Sequence, residues 1–412
     1  VYFLYDLLVR IAGLLLPVLA LFKPKLRSFL NGRKQVWHYL ETYLEPGKPR
    51  IWMHTASLGE FEQGLPVLEH LREAYPGHQF LVTFFSPSGY EIKKDKLPGV
   101  AVCYLPLDTA RNARRFLDKV SPEIALFVKY EVWPNLFREL GRNQTPIVMF
   151  SALFRPDQAY FRWYGGLLRK SLKKVSLVYV QDQASIDLLS GIGLPDARIA
   201  GDTRLDRVSV IAGQDNRLDF MDRFAGNRIC LVAGSTWAED EEVIVPFLNN
   251  HLPKGVCAVV APHQVGASHI EHLETRLQAK TIRFSSATQE DLERADVLIL
   301  DTIGLLTKVY DYAAVAYVGG GFRTGLHNTL EPAVFGIPIL IGPRFDKFRE
   351  ACDLVREGGI LPVSDAQSFR EAILPLLEDG EERQRIGAIN RRYVEENTGA
   401  SIQITQGVRT LV

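Results

Sequence analysis

"RIWMHTASLGEFEQGLPVLEHLREAYPGHQFLVTFF", Arg50 to Phe85, sets two apolar strand-like runs, "RIWMH" and "QFLVTFF", on either side of a segment of helical period from Phe61 to Ala74. Strands that read as continuous apolar runs are buried on both faces, and a helix between two of them predicts a parallel pair. The rhythm continues through "VAVCYL", "EIALFV", "PIVMFSA" and "VSLVYVQ", with helical period again from Thr109 to Val120. After the polar stretch "AGQDNRLDFMDRF", Ala212 to Phe224, it resumes as "RICLVAG", "GVCAVVA", "KTIRF", "DVLILD", "AVAYVGG" and "IPILIG". The expected fold class is α/β, two doubly wound domains in tandem with a ligand cleft between the carboxyl edges of their sheets.

Composition agrees with that division. A chain of 412 residues with 47% hydrophobic and 23% charged residues is a folded protein too long for one ordinary core. Lys plus Arg and Asp plus Glu number 48 each, so no global field draws it to nucleic acid. Cys103, Cys230 and Cys257 lie in apolar strand-like runs and, with Cys352, show no metal or disulfide spacing. The expected parts are residues 1–34 as an anchor with a basic flank, residues 35–215 as a first domain and residues 216–412 as a second.

The front of the chain, "YFLYDLLVRIAGLLLPVLALF" from Tyr2 to Phe22, is apolar apart from Asp6 and Arg10. As a helix it would reach roughly 32 Å, close to a hydrocarbon core of about 30 Å. Asp6 and Arg10 stand one turn apart and can pair, and Pro17 interrupts the run, so both a crossing helix and one lying on the surface remain open. Lys23, Lys25, Arg27, Arg33 and Lys34 follow without an acidic residue between them, which by the positive-inside bias puts the rest of the chain on the cytoplasmic side. A cleaved signal peptide fits less well, since its basic residues precede the apolar run.

Four helix entrances read as capping boxes: Ser57 to Glu60, Ser88 to Glu91, Thr236 to Glu239 and Asn328 to Glu331. The last belongs to "GGGFRTGLHNTLEPAVFGIPILIGP", Gly319 to Pro343, where three glycines bring bare amides beside a helix start and suggest a phosphate site. The dinucleotide fingerprint fails at Thr324 and the P-loop lysine position holds Leu326. His263, His269 and His272 lack a ligating spacing, no metal site is expected, and His54 reads as a strand-end histidine. Glu60, at the first helix of the first domain, is placed to accept a proton from a substrate hydroxyl.

"WMHTASLGE", "TFFSPSGYE", "YLPLD", "YEVWPN", "GSTWAEDEE", "DTIGLL" and the Gly319–Pro343 stretch, in that order, resemble the bacterial Kdo transferases, glycosyltransferases of the GT-B class. The resemblance implies two Rossmann-like domains, a membrane-associated helix, and inverting transfer of 3-deoxy-D-manno-octulosonic acid (Kdo) from CMP-Kdo to the lipid A precursor at the cytoplasmic face of the inner membrane. It implies no cofactor. It makes Glu60 the general base and gives donor binding to Ser235, Thr236, Pro262, His263, Gly319, Gly320, Gly321, His327, Asn328 and Glu331. Ser57, Glu131 and Arg204 become candidates for the acceptor or the sugar carboxylate. The charge on the leaving CMP would be met by the amides of Gly320 and Gly321 and by the helix starting near Asn328. Three departures stand out: Lys129-Tyr130-Glu131 for the family's Glu-Thr-Glu, Pro262-His263-Gln264 for Pro-Arg-His, and Gly201-Asp202-Thr203-Arg204 for Gly-Asn-x-Lys. Other GT-B enzymes, such as a hexosamine transferase or a nucleotide-sugar epimerase, and a scaffold without catalysis are the rival readings.

Overall fold

The computed structural model describes residues 1–194, 196–323 and 325–412, and the side chains of all of these except Pro24 and Lys25. Thr324 of the failed fingerprint and the Lys25 side chain of the basic cluster thus lie outside the described residues. Two units emerge, Val1–Arg207 with Thr398–Val412, and Val208–Asn397.

The first unit is built on seven parallel strands: β1 Arg50–Thr55, β2 Gln79–Phe84, β3 Val100–Tyr104, β4 Ile124–Val128, β5 Ile147–Ala152, β6 Leu177–Val180 and β7 Ala197–Ile199. Their order is β3-β2-β1-β4-β5-β6-β7. The first five are buried almost throughout, which is why they read as unbroken apolar runs. β7, three residues with two exposed, carries no such run and the sequence pattern misses it. Between β1 and β2 runs the expected helix, Leu58–Ala74, and the segment of helical period before β4 is the helix Ala110–Val120, capped by Thr109.

The second unit repeats the plan with β8 Ile229–Thr236, β9 Val256–Pro262, β10 Thr281–Arg283, β11 Val297–Ile299, β12 Val315–Val318, β13 Ile339–Ile341 and β14 Ile360–Pro362, ordered β10-β11-β9-β8-β12-β13-β14. Again the missed strand is a short edge, β14.

The expected division shifts in three places. Residues 1–34 are no separate part but lie within the first unit. The boundary falls after Arg207 rather than at residue 215, because the polar stretch is tied to the second unit: the Leu218 amide donates to Tyr312 Oη at 2.7 Å, and Met221 and Phe224 are buried. Finally, Thr398–Val412 returns to the first unit. Ala400, Ile404 and Val408 of the helix Ala400–Val408 join the core of Ile51, Met53 and Tyr179, and Asp206 caps that helix by accepting from the Gly399 and Ser401 amides at 2.6 and 2.8 Å. Helical period alone shows that a helix has an apolar face and says nothing about which sheet covers it.

Ile404 is fully buried, so Ile404→Ala should cost about 2–5 kcal/mol. Hydrogen exchange locates the loss: faster exchange is expected at Arg50–Thr55, with Ile229–Thr236 unchanged. Equal loosening of both strands would contradict the assignment of the last residues to the first unit.

Candidate functional site

In each sheet one strand has neighbours reached by opposite windings: β1 lies between β2 and β4, and β8 between β9 and β12. Ligands of open parallel sheets bind outside the carboxyl ends at such a reversal.

In the first unit the reversal holds two acids. Ser57 caps the helix after β1, its Oγ accepting from the Glu60 amide at 3.5 Å, which gives this candidate a structural role. The box is not the expected one, since Glu60 Oε2 reaches past Ser57 to accept from the Ala56 amide at 2.5 Å. Glu60 Oε1 bonds to nothing among the described residues, and burial raises the carboxyl pKa against the opposing pull of the Ala56 amide and Lys129. Glu131 follows β4. Burial, then the Glu60 charge, push its pKa up to about 7, and Lys129 again opposes. Lys129, whose backbone is left-handed at φ 62°, thus favours the charged form of both carboxylates.

Arg204 stands on the same edge, after β7, but its Nε and amide both donate to Asp202, at 2.8 and 2.9 Å. Burial opposes ionisation of Asp202, and the Arg204 contacts outweigh it, leaving the carboxyl below its usual range. Asp202 Oδ1 also accepts from Gln63 Nε2 at 3.1 Å, which ties this loop to the Glu60 helix. His54 is buried, its Nδ1 2.9 Å from Thr83 Oγ1, and burial lowers its pKa to about 3. It is a neutral strand histidine.

In the second unit β8 ends in a bulge at Ser235, whose φ is 54°, and the strand runs on through Thr236. The next helix starts a residue later than the box Thr236–Glu239 requires. Trp237 is its N-cap, Asp240 closes the box on the Trp237 amide at 2.9 Å, and Glu239 pairs with Arg323. Asp240 is fully buried and also accepts from Tyr317 Oη at 2.7 Å and the Gly320 amide at 2.9 Å. The Gly320 amide expected at a phosphate is therefore already engaged, and the Gly319 amide donates to Gly234 O at 2.9 Å. The glycines serve close approach instead: a Cβ on Gly319 would fall 2.3 Å from Ser235 O, on Gly320 2.2 Å from Gly325 O, and on Gly321 2.7 Å from the Gly342 amide nitrogen.

Side chains cluster at the same edge. Trp237 stacks on His263, ring centroids 4.6 Å apart, and His263 lies 4.5 Å from His327. Trp237 Nε1 donates to His327 Nε2 at 2.9 Å. An indole nitrogen only donates, so neutral His327 carries its proton on Nδ1. Burial, then His263, lower the His327 pKa to about 4. Pro262 ends β9 and is buried, and the His263 amide donates to Thr236 O at 2.9 Å. Thr236 Oγ1 and His269 Nε2 both meet Glu241 Oε1, at 3.2 and 2.9 Å.

The helix expected near Asn328 is a single turn, Leu330–Ala333, with Thr329 as N-cap. Asn328 Nδ2 donates to Glu331 Oε1 at 3.1 Å, while Thr307 Oγ1 donates to Oε2 at 3.0 Å. So short a helix offers little dipole, and the role expected of it at the leaving phosphate is not supported. At Ser88–Glu91 no box forms either, because the helix Pro87–Lys93 starts at Ser86. Asp240, Trp237, Glu241 and Thr307 were missed by the sequence reading. Asp240 was within reach, being the acid three places after the true N-cap.

Two variants test these environments. An unfolded glutamate titrates near its ordinary 4.5 and native Glu131 at about 7, so between these values the native state holds more protons and stability falls as pH rises. Glu131→Gln should match the wild type below pH ~4.5 and gain roughly 1–3 kcal/mol by pH ~7.5. An unchanged slope would remove the buried-acid account. In Trp237→Phe, nitrogen NMR should show His327 shifting from Nδ1–H toward Nε2–H, and a spectrum like the wild type would mean the indole does not set the tautomer.

Comparison with known proteins completes the picture. Residues 31–207 match the model of the 3-deoxy-D-manno-octulosonic-acid transferase (kdotransferase) family. The chain is 29% identical to 3-deoxy-D-manno-octulosonic acid transferase of Rickettsia felis over 305 residues, covering 72% of this chain and 64% of that one. It is 29% identical to the Haemophilus influenzae enzyme of the same name over 371 residues, 86% of this chain and 85% of that one. It thus spans just under two thirds of the Rickettsia felis relative. UDP-GlcNAc 2-epimerase of Neisseria meningitidis, solved with UDP-GlcNAc, is 14% identical with a TM-score of 0.62 over 88% of this chain and 100% of that one, a likeness of fold. Through residues 31–207 the chain matches the Kdo transferase family model, and its similarity to curated Kdo transferases extends over most of its length.

Proposed function

We propose that the protein is an inverting glycosyltransferase that moves Kdo from CMP-Kdo to a hydroxyl of the lipid A precursor in lipopolysaccharide synthesis, with Glu60 as general base. The observation that carries this reading is Glu60 itself. One of its oxygens is anchored on the Ala56 amide, the other is unbonded among the described residues, and burial makes the carboxylate a better base than an exposed one. A sugar hydroxyl is a weak nucleophile until such a group takes its proton. Glu131, held near neutrality, adds an acid beside it that can donate a hydrogen bond to a second acceptor hydroxyl.

The donor is assigned to the second unit. His327 offers an Nδ1–H toward an anion, and Glu331, steadied by Asn328 and Thr307, suits the hydroxyls of a ribose. No group of three or more His, Cys, Asp or Glu side chains suited to a metal occurs among the described residues. The helix Tyr2–Ala20, of mean hydropathy 1.9 and with most of its apolar residues exposed, supports attachment to a membrane, in keeping with a lipid acceptor. Arg10 Nε donates to Asp6 at 2.8 Å, the pairing that makes both charges tolerable in an apolar run. The cytoplasmic face of the inner membrane is part of the same proposal.

Glu60→Gln decides the central point. Gln can still accept from the Ala56 amide, so melting temperature and CMP affinity should hold while turnover of CMP-Kdo with lipid A precursor falls by about 10²–10⁴, read by mass spectrometry of the product. A stable, CMP-binding variant with turnover within a few-fold of wild type would leave Glu60 as a cap residue.

A further inference from the structure

Trp163 and Tyr164 are left in solvent, 91% and 60% exposed, with their rings edge to face at 5.6 Å. The loop that displays them is braced. Arg169 Nη1 donates to the carbonyls of Tyr160 at 2.9 Å and Arg162 at 2.7 Å, and Tyr160 Oη donates to Tyr130 O at 2.5 Å. Gly165 closes the turn so tightly that a Cβ there would meet Ala159 O at 1.8 Å. Order is thus maintained around two rings that bury little against the protein, which is unusual for a loop serving the fold alone.

Position gives the rings a context. The loop follows the carboxyl end of β5 and is tied to Tyr130 beyond β4. The apolar helix Tyr2–Ala20 docks on the same edge: Tyr5 Oη donates to Asp108 Oδ2 at 2.9 Å, and Asp6 Oδ1 accepts from the Ala110 amide at 2.6 Å, both partners lying beyond β3. Lys170 Nζ, a few residues after the aromatic pair, stands 5.7 Å from the Tyr2 ring and joins the two elements. The flanking chain is cationic, with Arg155, Arg162, Arg169, Lys170, Lys173 and Lys174 against the single acid Asp157. Amphipathic rings with basic neighbours beside an exposed apolar helix match the headgroup layer of an anionic bilayer.

We propose that the Trp163–Tyr164 loop is a second membrane-seated element, which with the helix turns the carboxyl edge of the first sheet, and Glu60 and Glu131 with it, toward the lipid surface. The proposal rests on the reading of Tyr2–Ala20 as membrane-attached and adds an orientation to it. A helix alone could pivot on the bilayer. Two separated contacts cannot.

The test uses the full chain and vesicles of phosphatidylethanolamine and phosphatidylglycerol with brominated acyl chains. Trp163 emission, isolated as the difference between wild type and Trp163→Phe, should shift to the blue and be quenched. The double variant Trp163→Ala, Tyr164→Ala should keep its melting temperature and bind the vesicles about tenfold more weakly, since interfacial binding scales with the apolar area inserted. Vesicle binding without quenching of Trp163 would overturn the loop assignment and leave the helix reading standing. No vesicle binding at all would remove both. A blue shift that grows with protein concentration in the absence of lipid would seat a second copy on the loop and overturn the lipid assignment.

Discussion

β1 pairs with β2 on one side and β4 on the other, and both pairings are parallel. A parallel strand can be followed only by a crossover, and here the chain winds outward from β1 through β2 to β3, then returns from β3 to place β4 on the other side of β1 and winds the opposite way. The loops beyond β1 and β4 must therefore part, and between them the sheet's carboxyl end stays uncovered. Glu60, in the first turn of the helix after β1, and Glu131, in the loop after β4, stand at that opening. The second unit repeats the constraint with β8 between β9 and β12: the segments that part after β8 and β12 carry Trp237 and the triple glycine, and His263 follows the neighbouring β9. Each group of candidate residues exists because of a reversal in strand order.

The two openings use charge differently. In the first, buried Glu60 and half-buried Glu131 act on one another with one lysine nearby, so their affinity for protons rises and their state becomes sensitive to whatever enters. In the second, Asp240 is buried with its hydrogen bonds filled by Tyr317, Trp237 and Gly320, so it acts as a fixed hub that positions its neighbours. Burial raises its pKa as well, but with its acceptor sites taken it is suited to holding the strand ends in place and not to moving protons. The glycines complete that arrangement by admitting backbone where any side chain would collide.

Much of this was legible in the residues in order. Twelve of the fourteen strands among the described residues stood out as apolar runs, since burial on both faces writes a continuous signal into local sequence; the half-buried edge β10 was legible without it, while the three-residue edges β7 and β14 were missed. Glu60 could be singled out because a cap residue after a buried strand is a local pattern, and the Asp6–Arg10 pair because one helical turn separates them. The exact caps were less legible: at Trp237 and Ser86 the helices begin where the strand or turn before them ends, and several acids and hydroxyls compete within a residue or two.

Contacts between residues distant in sequence were decided by tertiary structure alone. Asp240 meets Gly320 across 80 positions, and Asp206 caps a helix 195 positions away at Ser401. The sequence by itself determined which segments are strands and helices, which faces are apolar, and where carboxylates stand at strand ends, because each depends on spacings of a few residues. Only the fold decided that the Gly320 amide is occupied, that the charge of Lys129 acts on both acids, and that the last helix belongs to the first sheet. Those outcomes depend on which surfaces are brought together in space, and spacing along the chain does not carry that information.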